Sequence, residues 1–407
     1  MVLYSLATNK NSRQSVELLQ TQEDSSDKGI TFDIVQTGLS ANNKFYLDFG
    51  EKPPFNFFQC YPIDANKSSF VEKQDAKVAD YAHPPVWGLA KVASSSVEGV
   101  AVGTHYLAQL PMGEQVSFEG GKVDDEEGNL TIDRPTTNAA YNVFIKVDPE
   151  DPLLSKDYGA LALVCFPGIA TGSGLFFELE RNHYYGAQHV VVTSASSKVG
   201  LALALYLKQE GSSGTKVIGY TSDANKEFCQ KTGLYDSIHG YNDKLSDVIP
   251  PNESCAMIDI AGKASIYTNN VSSTKITKLF CIGNSSGTPD QDSTFACFST
   301  YAKMKMILTF MGAPSWIRKW MNPTQELFLI METTPAMKKE YGLEKYRAKM
   351  REQAKSFCAE ASKWISVRNC STEESIRKAF EDIIQGSVPP SEAVVLDVTK
   401  AVSHRKK

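Results

Sequence analysis

The stretch HVVVTSASSKVGLALALYLK, residues 189–208, runs from a β-branched strand directly into an apolar helix. The corner between them holds the small residues Ser194, Ala195, Ser196 and Ser197, with Lys198 and Val199 leading to Gly200. A helix N-terminus presents unsatisfied amides and a partial positive charge, so a corner this bare lets a phosphate approach the backbone. Counted back from Gly200, the dinucleotide fingerprint G-x-G-x-x-G places glycines at 195 and 197. The chain has Ala195 and Ser197 there. On these residues alone, a plain strand–turn–helix corner stays open as the alternative.

From Tyr158 onward, strands and helices alternate. The apolar, strand-like run ALALVCF (160–166) precedes a helix expected over 173–185. Strands are expected at 189–194, 216–220, 237–240, 255–260 and 277–283. Helices are expected between them at 198–209, 224–232 and 263–272. This alternation predicts an α/β fold with a parallel, doubly wound sheet of the Rossmann type, which binds ligands beyond the carboxyl ends of its strands. The strand KVIGY (216–220) carries no carboxylate at its tip. The hydroxyls of Thr221 and Ser222, with Lys226 one turn into the next helix, suit a 2′-phosphate, which favours NADPH over NADH. Alternatively, Lys226 is a solvated helix residue.

Up to about residue 150 the chain reads as short strands and loops, as in GITFDIVQTGLS (29–40) and HYLAQLPMGEQVSFE (105–119). DPEDP (148–152) is a plausible boundary. Three regions follow: 1–155, 156–300 and 301–407. In the last, helices are expected from Glu344 to about Val367 and from Thr372 to Ile384, the second capped by Ser371 or Thr372. A strand over 393–398 closes the chain, and the basic His404–Lys407 segment is expected to be a solvated tail.

The 407 residues are 42% hydrophobic and 22% charged, with a net charge of -5. That balance is ordinary for a globular protein and gives no reason to expect nucleic acid or an anionic membrane as partner. No run approaches the ~18 consecutive apolar residues of a membrane span, and MVLYSLATNK (1–10) is too short and polar for a secretory signal. The eight cysteines show no C-x-x-C spacing and read as buried, reduced thiols of a cytoplasmic protein. No two of the six histidines are spaced i, i+4, and no metal site is expected.

Several segments together resemble the zinc-independent, quinone-oxidoreductase-like branch of the medium-chain dehydrogenase/reductase superfamily. They are GVAVGTHYLAQLP (99–111), residues 189–208, KVIGYTSDANKEFCQKTGLYDSIHGYND (216–243), AMIDIAGKASI (256–266), KLFCIGNSSG (278–287) and the ending EESIRKAFEDIIQGSVPPSEAVVLDV (373–398). Within that branch, GLSANNKFYLDFG (38–50), PFNFFQCYP (54–62), PPVWGLAKV (84–92) and FFELERNHYYGAQHVVVTSASSK (176–198) are similar to a divergent family known mainly as a domain of unknown function.

The resemblance implies a GroES-like, β-barrel-type front domain that holds substrate, a middle sheet that holds NADP(H), and a closing segment that returns to the front domain. It implies hydride transfer from NADPH to a quinone-like or α,β-unsaturated carbonyl small molecule. By position, Ser194, Ala195, Ser196, Ser197, Lys198, Val199 and Gly200 would line the pyrophosphate. Tyr220, Thr221, Ser222 and Lys226 would surround the adenosine ribose, and Tyr241 would touch the cofactor. Ala261 with Gly262, and Ile282 with Gly283 and Asn284, would flank the ribose and nicotinamide. Asn42, Asn43 and Tyr46 would line the active cleft, Tyr46 as hydrogen-bond donor or acid. Phe55, Phe57, Phe58 and Trp87 would form an apolar pocket for a planar substrate, or are simply core. The superfamily's Gly-His-Glu zinc motif would fall near Trp87-Gly88-Leu89-Ala90, where both ligands are missing. A non-catalytic small-molecule or partner-binding protein that retains the fold is the alternative. A homodimer paired through sheet edges is the expected assembly.

Overall fold

Val190, Val191 and Val192 are fully buried, as parallel strands covered on both faces must be. A computed structural model of the chain places them in a strand, His189–Thr193, near the middle of a six-stranded sheet. The structure describes residues 2–22, 29–52, 56–73, 75–124, 126–132, 134, 139–211, 214–262, 270, 272–282 and 324–406. In spatial order the sheet runs Ser237–Gly240, Lys216–Thr221, His189–Thr193, Ser254–Asp259, Lys275–Cys281, Gln325–Leu327, and every pairing is parallel. This is the Rossmann order, and it reverses between His189–Thr193 and Ser254–Asp259. The sheet belongs to the second of two compact units, Cys165–Trp364, while Met1–Val164 and Ile365–Lys407 form the first.

Most expected strands of the sheet lie within a residue or two of their predicted bounds, and the helices Lys198–Glu210 and Asp223–Thr232 follow as expected. The residues around the expected 263–272 helix lie largely outside the described residues. ALALVCF is not strand-like. It opens a helix, Gly159–Arg181, that also takes in most of the expected 173–185 helix. This helix is long and apolar enough to cross a membrane, contrary to the reading of the sequence, but most of it is buried inside the protein, as in a core helix. Its small residues permit close packing. A Cβ on Gly168 would lie 2.8 Å from the main chain of Lys198, and one on Gly172 2.9 Å from that of Leu203. The Lys198–Glu210 helix is buried continuously from Gly200 to Leu207. It also receives the Leu343–Ala361 helix, where Tyr206 Oη donates to Gln353 O at 3.3 Å. Leu343–Ala361 stops short of Val367, which lies in the strand Ser366–Cys370. The return to the first unit thus begins at Ile365, not at residue 301.

The first unit is β-rich. A four-stranded antiparallel sheet joins Ser68–Phe70, Val16–Gln22, Val2–Asn9 and Tyr81–Ala82. A nine-stranded sheet is built around Ile30–Leu39, Pro85–Ser95 and His105–Pro111, with Glu392–Leu396 added beside Ile30–Leu39. A bridge between Ser5 and Gly113 connects the two sheets. One short helix, Asn42–Asp48, stands where the sequence suggests only strands and loops. The Glu373–Gln385 helix starts at Thr372, which shares a reciprocal capping box with Ser375, and ends at Gly386 with φ +70°. The seven described cysteines are buried; Cys297 lies outside the described residues.

The basic C-terminus is not a free tail. Ser403–Lys406 forms a short 3-10 turn. Arg405 makes a two-pronged pair with Glu373 at 2.5 and 3.0 Å. Lys406 Nζ lies 2.9 Å from the buried carboxylate of Glu114, which also accepts from Tyr4 N at 3.0 Å. Lys406→Ala removes the counterion of a buried carboxylate, and is expected to cost about 1–2 kcal/mol of stability, read as a lower thermal midpoint of unfolding. The hydrogen bond from Arg405 holds the Glu373 carboxyl below its ordinary value. A depressed carboxyl stabilises the fold above its unfolded value and loses that effect as pH falls through its folded value. The gap between wild type and Arg405→Ala in thermal unfolding should therefore be full near neutrality and close as the pH drops into the acid range. A gap independent of pH would refute the pairing.

Candidate functional site

The corner after His189–Thr193 lies where the strand order reverses, and its geometry follows from one buried hydroxyl. Thr193 Oγ1 donates to Asp259 Oδ1 at 2.7 Å and accepts from the amides of Ile260 and Ala261, both at 2.9 Å. The Gly262 amide donates to the same carboxylate oxygen at 3.1 Å. The two central strand ends are thereby tied together, and Ala261 and Gly262 are fixed beside them.

Ser194 takes φ +50°, the left-handed region. Its amide donates to Tyr241 Oη at 3.2 Å, and its carbonyl accepts from Ser197 N at 2.8 Å. Ser197 is the N-cap of Lys198–Glu210, its Oγ accepting from Gly200 N at 3.2 Å. The side chain at the position of closest approach is thus turned back onto its own helix. Gly200 fits tightly here, since a Cβ would lie 3.0 Å from Ser194 O and 3.2 Å from both Ala195 O and Tyr235 Oη, and those groups would have to give way. Ser196 Oγ accepts from Thr221 Oγ1 at 3.3 Å and Asn225 Nδ2 at 3.2 Å. By helix geometry, the first-turn amides of Lys198 and Val199 have no intrahelical acceptor.

The expected ribose residues divide. Ser222 is exposed, and Lys226 is half-buried at the same strand tip. Lys226 Nζ pairs with Asp223 at 2.9 Å and lies 3.8 Å from Asp243, so it is not a lone cation there. Thr221 is buried and turned inward to Ser196. Tyr220 is displaced from the expected role. Its side chain is fully buried in the core beside Val191, Ile218 and Met257, and its hydroxyl has no hydrogen-bond partner among the described residues. Both faces of a parallel sheet are covered, so a side chain just inside the strand end is buried whichever way it points. Ile282 is half-buried after its strand; Gly283 and Asn284 lie outside the described residues.

In the first unit, Tyr46 on the Asn42–Asp48 helix is buried. Its Oη accepts from Trp87 Nε1 at 2.9 Å. Phe57 and Tyr141 pack edge-on against its ring at 5.0 and 6.2 Å. Burial pushes the Tyr46 hydroxyl up to about 12, which the Trp87 hydrogen bond and nearby Gln109 only partly offset. Asn42 and Asn43 do not join this cluster. Asn42 is exposed. Asn43 accepts from Ser40 N at 2.8 Å and donates to Pro85 O at 3.2 Å, bonds that pin the helix start to a strand. Phe58 belongs to another core group with Leu39, Leu47 and Val86. Phe55 lies outside the described residues. The sequence reading missed Thr193, Asp259, Tyr235, Asn225 and Gln109. A Thr ending an all-valine strand opposite an Asp ending its neighbour was the available signal. Among the described residues no three His, Cys, Asp or Glu side chains gather as a metal site.

Residues 37–389 match the model of the family described as "Protein of unknown function (DUF2855)". The chain belongs to that family. No curated protein matches the sequence. Among solved structures, the yhdH oxidoreductase from Salmonella enterica in complex with NADP aligns over 98% of this chain and 100% of its own, with TM-score 0.55 at 12% identity. CurA from Vibrio vulnificus in complex with NADPH aligns over 98% and 99%, with TM-score 0.52 at 14% identity. YhdH of E. coli K-12 with bound NADPH aligns over 97% and 99%, with TM-score 0.52 at 10% identity. This DUF2855 chain therefore has the fold of these structures, a Rossmann unit joined to a GroES-like one, as expected from the sequence.

Two substitutions separate the residues that build the corner from the one that only lies beneath it. Thr193→Val leaves Asp259 and two amides without their buried partner, and should cost about 2–3 kcal/mol in denaturant unfolding. Tyr220→Phe removes a buried hydroxyl with no described partner, and should leave stability unchanged or higher. A large loss for Tyr220→Phe would contradict its placement.

Proposed function

We propose that the chain is an NADPH-dependent reductase that transfers hydride to a quinone-like or α,β-unsaturated carbonyl compound without zinc. The observation that carries this reading is the small-residue corner at the reversal of strand order, in a fold shared with NADP- and NADPH-bound oxidoreductases. Its residues fit a dinucleotide diphosphate. Ser196 and Ser197 are held back by internal hydrogen bonds, and the helix opens with two amides that have no intrahelical acceptor. Ser222 and Lys226 would meet the ribose phosphate once Lys226 turns from Asp223 and Asp243, and Tyr241 would flank the diphosphate. Bound there, the dinucleotide supplies the hydride.

The first unit supplies a hydrogen bond to the acceptor's carbonyl oxygen. Trp87 Nε1 occupies a lone pair of Tyr46 Oη, so the Tyr46 proton is the part left to donate. Because burial raises that hydroxyl to about 12, it stays protonated throughout the neutral range and acts as donor, never as a phenolate base. The wall of Phe57 and Tyr141 suits a flat, apolar acceptor.

Titration with NADPH, followed by NADPH oxidation with a panel of quinones and enones, tests the reading. No binding would end it, while binding without oxidation would leave a non-catalytic binding protein. Lys226→Ala should weaken NADPH binding about 10-fold and leave NADH nearly unchanged. Tyr46→Phe should lower kcat about 10²-fold, with a flat pH profile from 6 to 9 in wild type. A Tyr46-dependent rise in rate across that range would exclude the protonated donor.

A further inference from the structure

The first unit contains two buried polar features whose balance is incomplete. Gln109 lies directly opposite Trp87 in the ladder between His105–Pro111 and Pro85–Ser95, so both side chains share one face of the sheet. Gln109 is 0% exposed. Neither its amide nitrogen nor its amide oxygen makes a well-formed hydrogen bond among the described residues, and the polar side chain within its reach is the Tyr46 hydroxyl. Native proteins rarely leave a buried carboxamide in that state, because both groups have given up water with nothing in return.

The second feature is Arg134, 6% exposed. Its Nε donates to Asn142 Oδ1 at 3.0 Å. Its terminal nitrogens donate to Tyr61 Oη, to Tyr141 O and, at 3.4 Å, to the main-chain oxygen of Gln109 itself. The rings of Tyr61 and Phe144 face it at 4.8 and 5.8 Å. Every one of these partners is neutral, and no carboxylate among the described residues pairs with it. A guanidinium does not shed its charge in a protein. Among the described residues that positive charge is thus balanced only by dipoles, one of them the main-chain oxygen of Gln109, whose side-chain amide lies within reach of the Tyr46 hydroxyl. An oxygen atom bearing negative charge would relieve both features at once.

We propose that Gln109 Nε2 is, with Tyr46 Oη, the second donor to an anionic ligand oxygen in the first unit, and that Arg134 supplies the compensating positive field. The ligand class is an enolate or phenolate. The inference rests on the first unit binding the carbonyl acceptor. When an enone takes hydride at its β-carbon, a C–H bond forms there. The C=C pair moves to join the α-carbon to the carbonyl carbon, and the carbonyl π pair moves onto oxygen. Solvent then protonates the α-carbon and restores the carbonyl. Gln109 acts on the oxygen at its most charged, so its loss lowers kcat more than it raises KM.

The test uses 4-nitrophenol, a stable phenolate former whose ionised form is coloured, titrated into the full chain. Wild type should bind the ionised form and hold the bound probe ionised at a pH where the free phenol is mostly neutral. Gln109→Leu should weaken binding about 10-fold and return the bound spectrum to the neutral phenol. It should also raise the thermal midpoint, because an unpartnered amide is gone. Gln109→Met, unbranched and of similar length, is the second variant should Leu pack poorly. Equal affinity and equal ionisation in wild type and variants would overturn the inference, as would a wild type that leaves the probe neutral or unbound. NADPH oxidation is measured separately. Gln109-dependent phenolate binding without NADPH oxidation would remove the reductase reading and keep this one. Oxidation with phenolate binding indifferent to Gln109 would do the reverse.

Discussion

The hydroxyl of Thr193 bonds to the end of the neighbouring strand through Asp259 and two amides, and the rest of the corner depends on it. Parallel strands with helices on opposite faces diverge where the strand order reverses, and an untied pair of ends would fray. With the ends fixed, Ser194 can take a left-handed turn and Ser197 can cap the helix that follows. The helix is in turn held by close main-chain approach from Gly159–Arg181, at Gly168 and Gly172. A bare corner is thus not an empty one. Its small side chains are occupied with one another, which keeps the backbone in place.

The sheet was legible because β-branched runs such as Val190–Val192 are short and bounded by turn residues. The Gly159–Arg181 helix was not. It is apolar on nearly every side, and a helix buried all round carries no 3.6-residue period to separate it from a buried strand. Asn42–Asp48 was hidden for a different reason. It has no side-chain cap of its own and is held instead by Asn43 bonding to Ser40 and Pro85. The basic C-terminus looked like a solvated run because its acids, Glu114 and Glu373, belong to other parts of the chain. In the site, small residues at the corner could be read directly. Tyr220 could not, since strand position gives the turn but not which side chains the covered faces absorb.

In the α/β unit, Thr193, Asp259, Ser196, Thr221 and Asn225 are hydrogen-bonded to one another around the corner, while the Tyr220 hydroxyl beneath it has no described partner. Main-chain amides at a helix start recognise a ligand by shape and partial charge, and ask little of side-chain identity. This explains how Ala195 and Ser197 can stand where the usual fingerprint has glycine without closing the corner: one is buried and the other is turned onto Gly200.

In the β-rich unit the buried amide of Gln109 has no well-formed hydrogen bond among the described residues. Gln109 and Arg134 keep polarity that an apolar pair of similar volume would remove at no cost to packing, and very often with a gain in stability. A purely structural explanation has to account for why a fully buried amide is kept on a residue whose main-chain oxygen already serves a buried cation with three other neutral acceptors. Specific strand pairing does not need it, since the Trp87–Gln109 register is set by the main-chain ladder of two long strands. What the arrangement does provide is a fixed positive potential and a spare N–H near the Tyr46 hydroxyl, all in place before any ligand arrives. Donors held ready in a dry, apolar surround favour charge on an oxygen far more than they favour a neutral carbonyl, because no reorganisation is left to be done when the charge develops. The stability forgone in the free protein is then the expected counterpart of selectivity for the charged state.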